Sequence, residues 1–310
     1  FPSYVLVKME MSKDLYHMIK NIQKVTGFLG TTGKPIPVSD REIDKILGNI
    51  KEGSLLPEPR VSFDIAISQL GGHPVYLSKD EVGMGVREPI SDIAKVLSRF
   101  VDGVVVRTFS QRTLKELSTN SSVPVINALS DEEHPCQALA DILTIYERFG
   151  DISGKTIVYI GDGNNVASSL AIAAASLGAT VVIAAPSGYS LPNHIIEIVR
   201  TRALLSKANL ILTDNPTEAA SDADVIYTDV WTSMGQEEET ETRLEAFKSF
   251  QVNQELLSLS KKSALFMHPM PAHVGQEISP GLLENPKSVV FDQAENRLHI
   301  QKAILTKLIS

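Results

Sequence analysis

The sequence predicts an α/β fold of two domains, each a parallel sheet flanked by helices, joined by a long connecting helix. Three observations carry this prediction. From about residue 73 onward, short β-branched runs alternate with longer segments of helical period. The runs are apolar throughout rather than alternating, as strands covered on both faces are. A polar stretch, Ser130 to His134, leads into a long helical segment, after which Gly150-Asp151-Ile152-Ser153-Gly154 opens a second strand–helix series.

Taken in order, the predicted strands are His73–Leu77, Gly103–Phe109, Val123–Ala128, Thr156–Ile160, Thr180–Ala185, Asn209–Thr213, Asp224–Val230, Ala264–His268 and Ser288–Asp292. The predicted helices between them are Ile90–Phe100, Pro135–Phe149, Val166–Leu177, Ile195–Lys207 and Glu295–Ile309. These assign residues 1–133 to a first domain, 134–293 to a second, and the C-terminal helix 294–310 back to the first. The opening sixty residues read differently. Met11–Val25 and Asp40–Lys51 have helical patterns, and Leu55-Leu56-Pro57-Glu58-Pro59 reads as an extended loop because of its two prolines.

Composition narrows the function. The 310 residues carry 29 basic against 37 acidic side chains, a net charge of −8. A negative surface disfavours nucleic acid and anionic lipid, yet a locally positive cleft for a small anion remains compatible with it. The one cysteine, Cys136, excludes an internal disulfide and points to a reducing compartment, cytoplasmic in the simplest reading. The chain starts at Phe1, which leaves a removed organellar leader open. No apolar run approaches the ~20 residues that span a bilayer. The seven histidines show no tight metal-ligand spacing, so no metal is expected.

Several strand ends carry polar groups. Gly161-Asp162-Gly163-Asn164-Asn165 follows a strand and opens a helix, but Val166 stands where a dinucleotide fingerprint has its third glycine. The next strand ends in Ala185-Pro186, with no acid for a ribose hydroxyl. No nicotinamide cofactor is expected, although the carboxyl end of this strand still suits a ligand. His134-Pro135-Cys136-Gln137 opens a helix, where His134 either caps the helix or meets a carbonyl or phosphate oxygen. Cys136 reads as a buried structural thiol, since no base for a nucleophile is identifiable. Asp229-Val230-Trp231-Thr232-Ser233-Met234-Gly235 places an acid after a buried strand, suited either to a substrate ammonium or to a loop cap.

Together HPCQ at 134–137, GDGNN at 161–165, DVWTSMGQE at 229–237 and AENRLHIQKA at 294–303 resemble the ornithine carbamoyltransferases, within the aspartate/ornithine transcarbamoylase family. The resemblance runs from about Arg60 to the C-terminus, and its Ser-Met-Gly element marks the ornithine enzymes. It implies that Arg107, His134, Gln137 and Arg297 contact carbamoyl phosphate, with Arg107, His134 and Arg297 in the catalytic role. It further implies that Asn165, Asp229, Ser233 and Met234 contact ornithine, with Pro269 and Met270 on the substrate side. The implied reaction gives citrulline and phosphate, with no cofactor, no metal and no covalent intermediate, in a homotrimer whose subunits share a loop. The alternative is a catalytically impaired ornithine-binding or regulatory paralogue.

Three positions depart from the family pattern. Leu56-Pro57-Glu58-Pro59 stands where the family has Ser-Thr-Arg-Thr, with Glu58 aligned to its phosphate-binding arginine. Gly83 aligns with the glutamine of the shared loop. His268-Pro269-Met270-Pro271 replaces His-Cys-Leu-Pro, which removes the substrate-side thiol.

Overall fold

The computed structural model describes residues 30–31, 34–35, 59–78, 82–83, 88–233 and 236–309. The chain divides into two compact units, Phe1–Leu56 and Pro57–Ser310. In the first, the described residues form one antiparallel pair, β1 (Gly30–Thr31) with β2 (Lys34–Pro35). The patterns at 11–25 and 40–51, and the 55–58 part of the proline-bearing loop, lie outside the described residues.

The second unit begins with α1 (Pro59–Gln69) and α2 (Ile90–Leu97). Two parallel strands follow, β3 (Val104–Arg107) and β4 (Val125–Leu129), connected by α3 (Gln111–Asn120). Their register shifts at Val106/Arg107, so β4 carries one extra residue just where Arg107 leaves the sheet. A bulge at this point re-aims side chains at the strand's carboxyl end.

The connector is α4 (Pro135–Phe149), which starts with proline at its first turn and stops at Gly150 with φ +71°. Beyond it stands a five-stranded parallel sheet in the order β7-β6-β5-β8-β9. Its strands are β5 (Thr156–Ile160), β6 (Thr180–Ala184), β7 (Leu210–Thr213), β8 (Val225–Thr228) and β9 (Leu265–Met267). The helices are α5 (Asn165–Ser176), α6 (Asn193–Ser206), α7 (Pro216–Ala220), α8 (Thr240–Phe247) and α9 (Gln254–Ser258). The last helix, α10 (Val290–Ile309), packs on both α4 and α1.

The apolar runs explain this sheet. β8 is buried at every position, and β5 and β6 at every position after the first. Two cores follow, one on each face: Ile157, Leu170, Val181 and Tyr227 on one side, Val158, Ile226, Phe247 and Phe266 on the other. Leu305 of α10 joins Phe63, Ala66 and Ile126 in a third, so the C-terminus helps to cover the β3–β4 sheet.

Two strand predictions fail. Residues 73–77 form no strand; Val75, Tyr76 and Leu77 are exposed, and β4 is the only partner of β3 among the described residues. A β-branched run becomes a strand only when a neighbour takes its backbone groups. At Ser288–Asp292 the structure has a single bridge, Ser288 to Phe266, and the helix begins at Val290. Asp292 in the first turn and the Gln293 N–H bonded to the Val289 carbonyl show the helical choice winning there.

Candidate active site

The order β7-β6-β5-β8-β9 makes the chain wind outward in opposite directions from β5. Ligands of open parallel sheets bind beyond the carboxyl ends of strands at such a switch point. The turn after β5 and the loop after β8 meet there.

The turn after β5 needs its glycines. Gly161 has φ +141°, and a Cβ on Gly163 would lie 2.4 Å from the Ser190 carbonyl carbon. Asn164 then caps α5, its Oδ1 accepting the N–H of Val166 (3.0 Å) and of Ala167 (3.1 Å). Tyr159 donates its hydroxyl to the same oxygen (3.2 Å), while Asn164 Nδ2 donates to Asp229 Oδ2 (2.8 Å). Asp229 is buried, and burial raises its carboxyl pKa, opposed by the nearby His268 and by the Asn164 bond. A buried carboxylate of this kind suits a cationic partner.

Asn165 follows Asn164 as the first residue of α5. Its Nδ2 donates to the Ser130 carbonyl (2.6 Å), fastening the α5 N-terminus to the turn that delivers His134. Asn164, its neighbour, is the residue that sequence reasoning missed; the usable signal was an asparagine immediately before a helical run. Ser233 lies in the loop after β8 and donates its backbone N–H to Gln236 Oε1 (3.1 Å). Met234 lies outside the described residues. Pro269 and Met270 follow β9, and Met270 packs on the Val158–Phe266 core.

Arg243 ties these loops together. Its Nη1 donates to Asp162 Oδ2 (2.9 Å) and to the Trp231 carbonyl (3.1 Å), and its Nε to Glu239 Oε2 (2.9 Å). Beneath the loop after β9, His268 Nε2 and Glu277 Oε1 lie 3.1 Å apart, both fully buried, and Glu277 also accepts the His273 N–H.

A second cluster gathers around the start of α4, with Arg297 two turns into α10 and Arg107 at the end of β3. His134 precedes α4 and makes no capping bond with its side chain, which settles the capping alternative against it. Its backbone N–H donates to Ser169 Oγ (2.9 Å). Burial, then the positive charges of Arg297 and Arg107, push its pKa down to about 3, so the imidazole is neutral at neutral pH. Gln137 is buried one turn into α4, and Arg297 is half-buried in α10, its pKa lowered by burial. Arg107 is exposed at the end of β3, close enough to act electrostatically on both His134 and Arg297. Three atoms here are buried and, among the described residues, have no hydrogen-bond partner: His134 Nδ1, Gln137 Oε1 and Arg297 Nη2. Buried polar atoms are otherwise nearly always paired, so their convergence marks a place built for a polar ligand.

Cys136 has its Sγ 3.3 Å from the Asn127 carbonyl, and burial pushes the thiol up to about 12. It is structural. Glu58 lies outside the described residues, as does most of the shared-loop region around Gly83.

Comparison with known proteins agrees with this geometry. The family model for the aspartate/ornithine carbamoyltransferase Asp/Orn binding domain matches residues 153–308, and that for the carbamoyl-P binding domain matches 59–147. The chain belongs to the aspartate/ornithine carbamoyltransferase family. Among carbamoyltransferases, it is 50% identical over 246 residues to the ornithine carbamoyltransferase of Caldicellulosiruptor saccharolyticus, covering 79% of this chain and 80% of that one. It is 53% identical over 250 residues to that of Archaeoglobus fulgidus, covering 81% and 80%. The solved Pyrococcus furiosus ornithine carbamoyltransferase superposes with a TM-score of 0.79 at 48% identity, over 81% of this chain and 80% of that one. A third model, transcription termination factor nusG, matches residues 1–47. The carbamoyl-P binding model itself starts at residue 59.

Proposed function

We propose that the protein transfers the carbamoyl group of carbamoyl phosphate to the δ-amine of L-ornithine, giving citrulline and phosphate. The observation that carries this reading is that His134 Nδ1, Gln137 Oε1 and Arg297 Nη2 are buried without partners among the described residues, with Arg297 and Arg107 both near enough to act on His134. Two guanidiniums answer the charge of a phosphate, and a neutral imidazole with a guanidinium answers the negative charge that develops on the carbamoyl oxygen.

At the other end of the crevice, the buried Asp229 holds the ammonium of the amino acid, supported by Asn164. The loop that begins at Trp231 is anchored there by Arg243 and carries Ser233 toward the amino acid's side chain. The neutral δ-amine attacks the carbamoyl carbon, the carbonyl electrons move onto the oxygen, and the tetrahedral species collapses with loss of phosphate, which carries away the proton given up by the amine. None of these steps needs a nucleophile from the protein, in keeping with the buried Cys136. The same reading includes a homotrimer in a reducing, cytoplasmic compartment, supported by family membership and by the single cysteine.

The test is citrulline release by the full chain with L-ornithine, L-aspartate and putrescine offered in parallel. Saturable citrulline formation from ornithine, with the other two acceptors inactive, is the expected result. No transfer to any acceptor, despite ornithine binding, would contradict the reading; the sequence Leu56-Pro57-Glu58-Pro59 in place of the family's Ser-Thr-Arg-Thr makes this a demanding test.

A further inference from the structure

Asp141 is fully buried in α4, one turn beyond Gln137, and takes part in none of the steps above. Gln137 Nε2 donates to its Oδ1 (2.8 Å), and so does Gln293 Nε2 from α10 (2.7 Å). The Tyr227 hydroxyl of β8 donates to Oδ2 (2.9 Å).

The polarity of this network is fixed from one end. The backbone N–H of His268 can only donate, and it bonds Gln293 Oε1 (2.9 Å). Gln293 must therefore turn its amide nitrogen toward Asp141, whose Oδ1 is then purely an acceptor when the carboxyl is ionised or carries its proton on Oδ2, the oxygen facing Tyr227. Gln137 must in turn offer its own amide nitrogen to that oxygen. That leaves Oε1, a buried acceptor without a partner among the described residues, as the end it presents to the ligand.

We infer that Asp141 is a positioning residue that locks the Gln137 amide with its oxygen outward, and so makes the site select a carbamoyl donor over an acetyl donor. The two groups share a carbonyl and are nearly the same size; one carries an amino group on the carbonyl carbon where the other carries a methyl. They differ in the hydrogen-bond donors of that amino group. With Gln137 locked, a methyl group leaves a buried acceptor unpaired, whereas a carbamoyl amino group satisfies it. An unlocked Gln137 turns either end to the ligand and loses the distinction. This inference rests on the reading of His134, Gln137 and Arg297 as the carbamoyl phosphate pocket.

The experiment measures binding rather than turnover, by calorimetry on the full chain, with phosphonoacetamide and with 2-oxopropylphosphonate, which carries a methyl in place of the amide's amino group. The wild type should prefer the amide by about tenfold or more, the ratio expected for one buried acceptor satisfied or left bare. Asp141→Ala should bring the two affinities within about threefold of each other. Asp141→Ser, too short to reach Gln137, should do the same and serves if the alanine variant does not fold. Asp141→Asn keeps an oxygen at the Oδ1 position, because Gln293 demands an acceptor there, and should retain the wild-type ratio. A purely structural role would weaken both ligands equally and leave the ratio intact. That result in Asp141→Ala or Asp141→Ser, or a wild type with no preference, would overturn the inference while leaving the carbamoyl phosphate pocket standing. A wild type that binds neither ligand would overturn both.

Discussion

Asp229 illustrates how one residue's surroundings define its partner. Its carboxyl is buried, its pKa is raised by that burial, and among the described residues its side-chain donor is Asn164. Removing the carboxyl takes the charge partner from a buried ammonium, so Asp229→Ala should weaken L-ornithine binding more than tenfold. Calorimetry on the two proteins checks this, and equal affinities would remove Asp229 from the ornithine site. Cys136 is the opposite case. With its thiol pushed up to about 12 and its side chain buried, it carries almost no thiolate at neutral pH. Alkylation by iodoacetamide should therefore be very slow in the folded protein and fast in denaturant; rapid labelling of the native chain would show a reactive cysteine after all.

Among the elements, the loop after β8 depends on α8 through Arg243. Its side chain is 8% exposed and that of its partner Asp162 is 10% exposed. Breaking a buried pair from one side leaves an uncompensated charge, at a cost of about 3–5 kcal/mol. Arg243→Met should lose stability on this scale in urea titrations and raise the KM for ornithine more than that for carbamoyl phosphate. Adding Asp162→Asn should recover part of the stability by removing the stranded charge. A single variant as stable as wild type would show that the pair does not anchor the loop.

The element scale also shows which features were legible in the sequence. The five strands of the larger sheet announced themselves because each is an apolar run, the inner ones buried on both faces, and α4 because proline opens it and glycine closes it. Residues 73–77 carry the same composition without a paired neighbour among the described residues, which no local pattern reveals. Ser288–Asp292 failed for the converse reason, since one bridge to Phe266 was enough and the helix claimed the rest. At the site, the motif residues His134, Gln137 and Asp229 were visible, whereas Asn164, Arg243 and Asp141 were not. Their partners lie 65, 81 and up to 152 residues away, beyond the reach of any spacing rule.

For the whole molecule, two buried groups set opposing pH dependences of stability. His134 falls from an ordinary 6.5 to about 3, so the unfolded chain binds its proton more readily, and stability from this group is present above pH 6.5 and lost as pH falls toward 3. Asp141 rises from 3.8 to about 7 through burial, so the folded chain holds the proton, and stability from this group declines as pH climbs through that window. Urea titrations across pH 4 to 8 should show a steeper acid loss in Asp141→Asn and a shallower one in His134→Asn than in wild type. Parallel curves for all three would refute both assignments.

At this scale too, family models match the chain in separate stretches, nusG over residues 1–47 and the two carbamoyltransferase models over 59–147 and 153–308. The central claim is that the carbamoyltransferase stretches bring a carbamoyl donor and an amine together in one crevice. Nuclear magnetic resonance with carbon-labelled carbamoyl phosphate and δ-nitrogen-labelled ornithine reports the new carbon–nitrogen bond itself. The full chain should build a directly coupled carbon–nitrogen signal in step with phosphate release, and Arg297→Met should slow its growth by a hundredfold or more, about 3 kcal/mol of lost charge stabilisation. Growth of that signal at the same rate with the variant, or with no protein at all, would contradict the account.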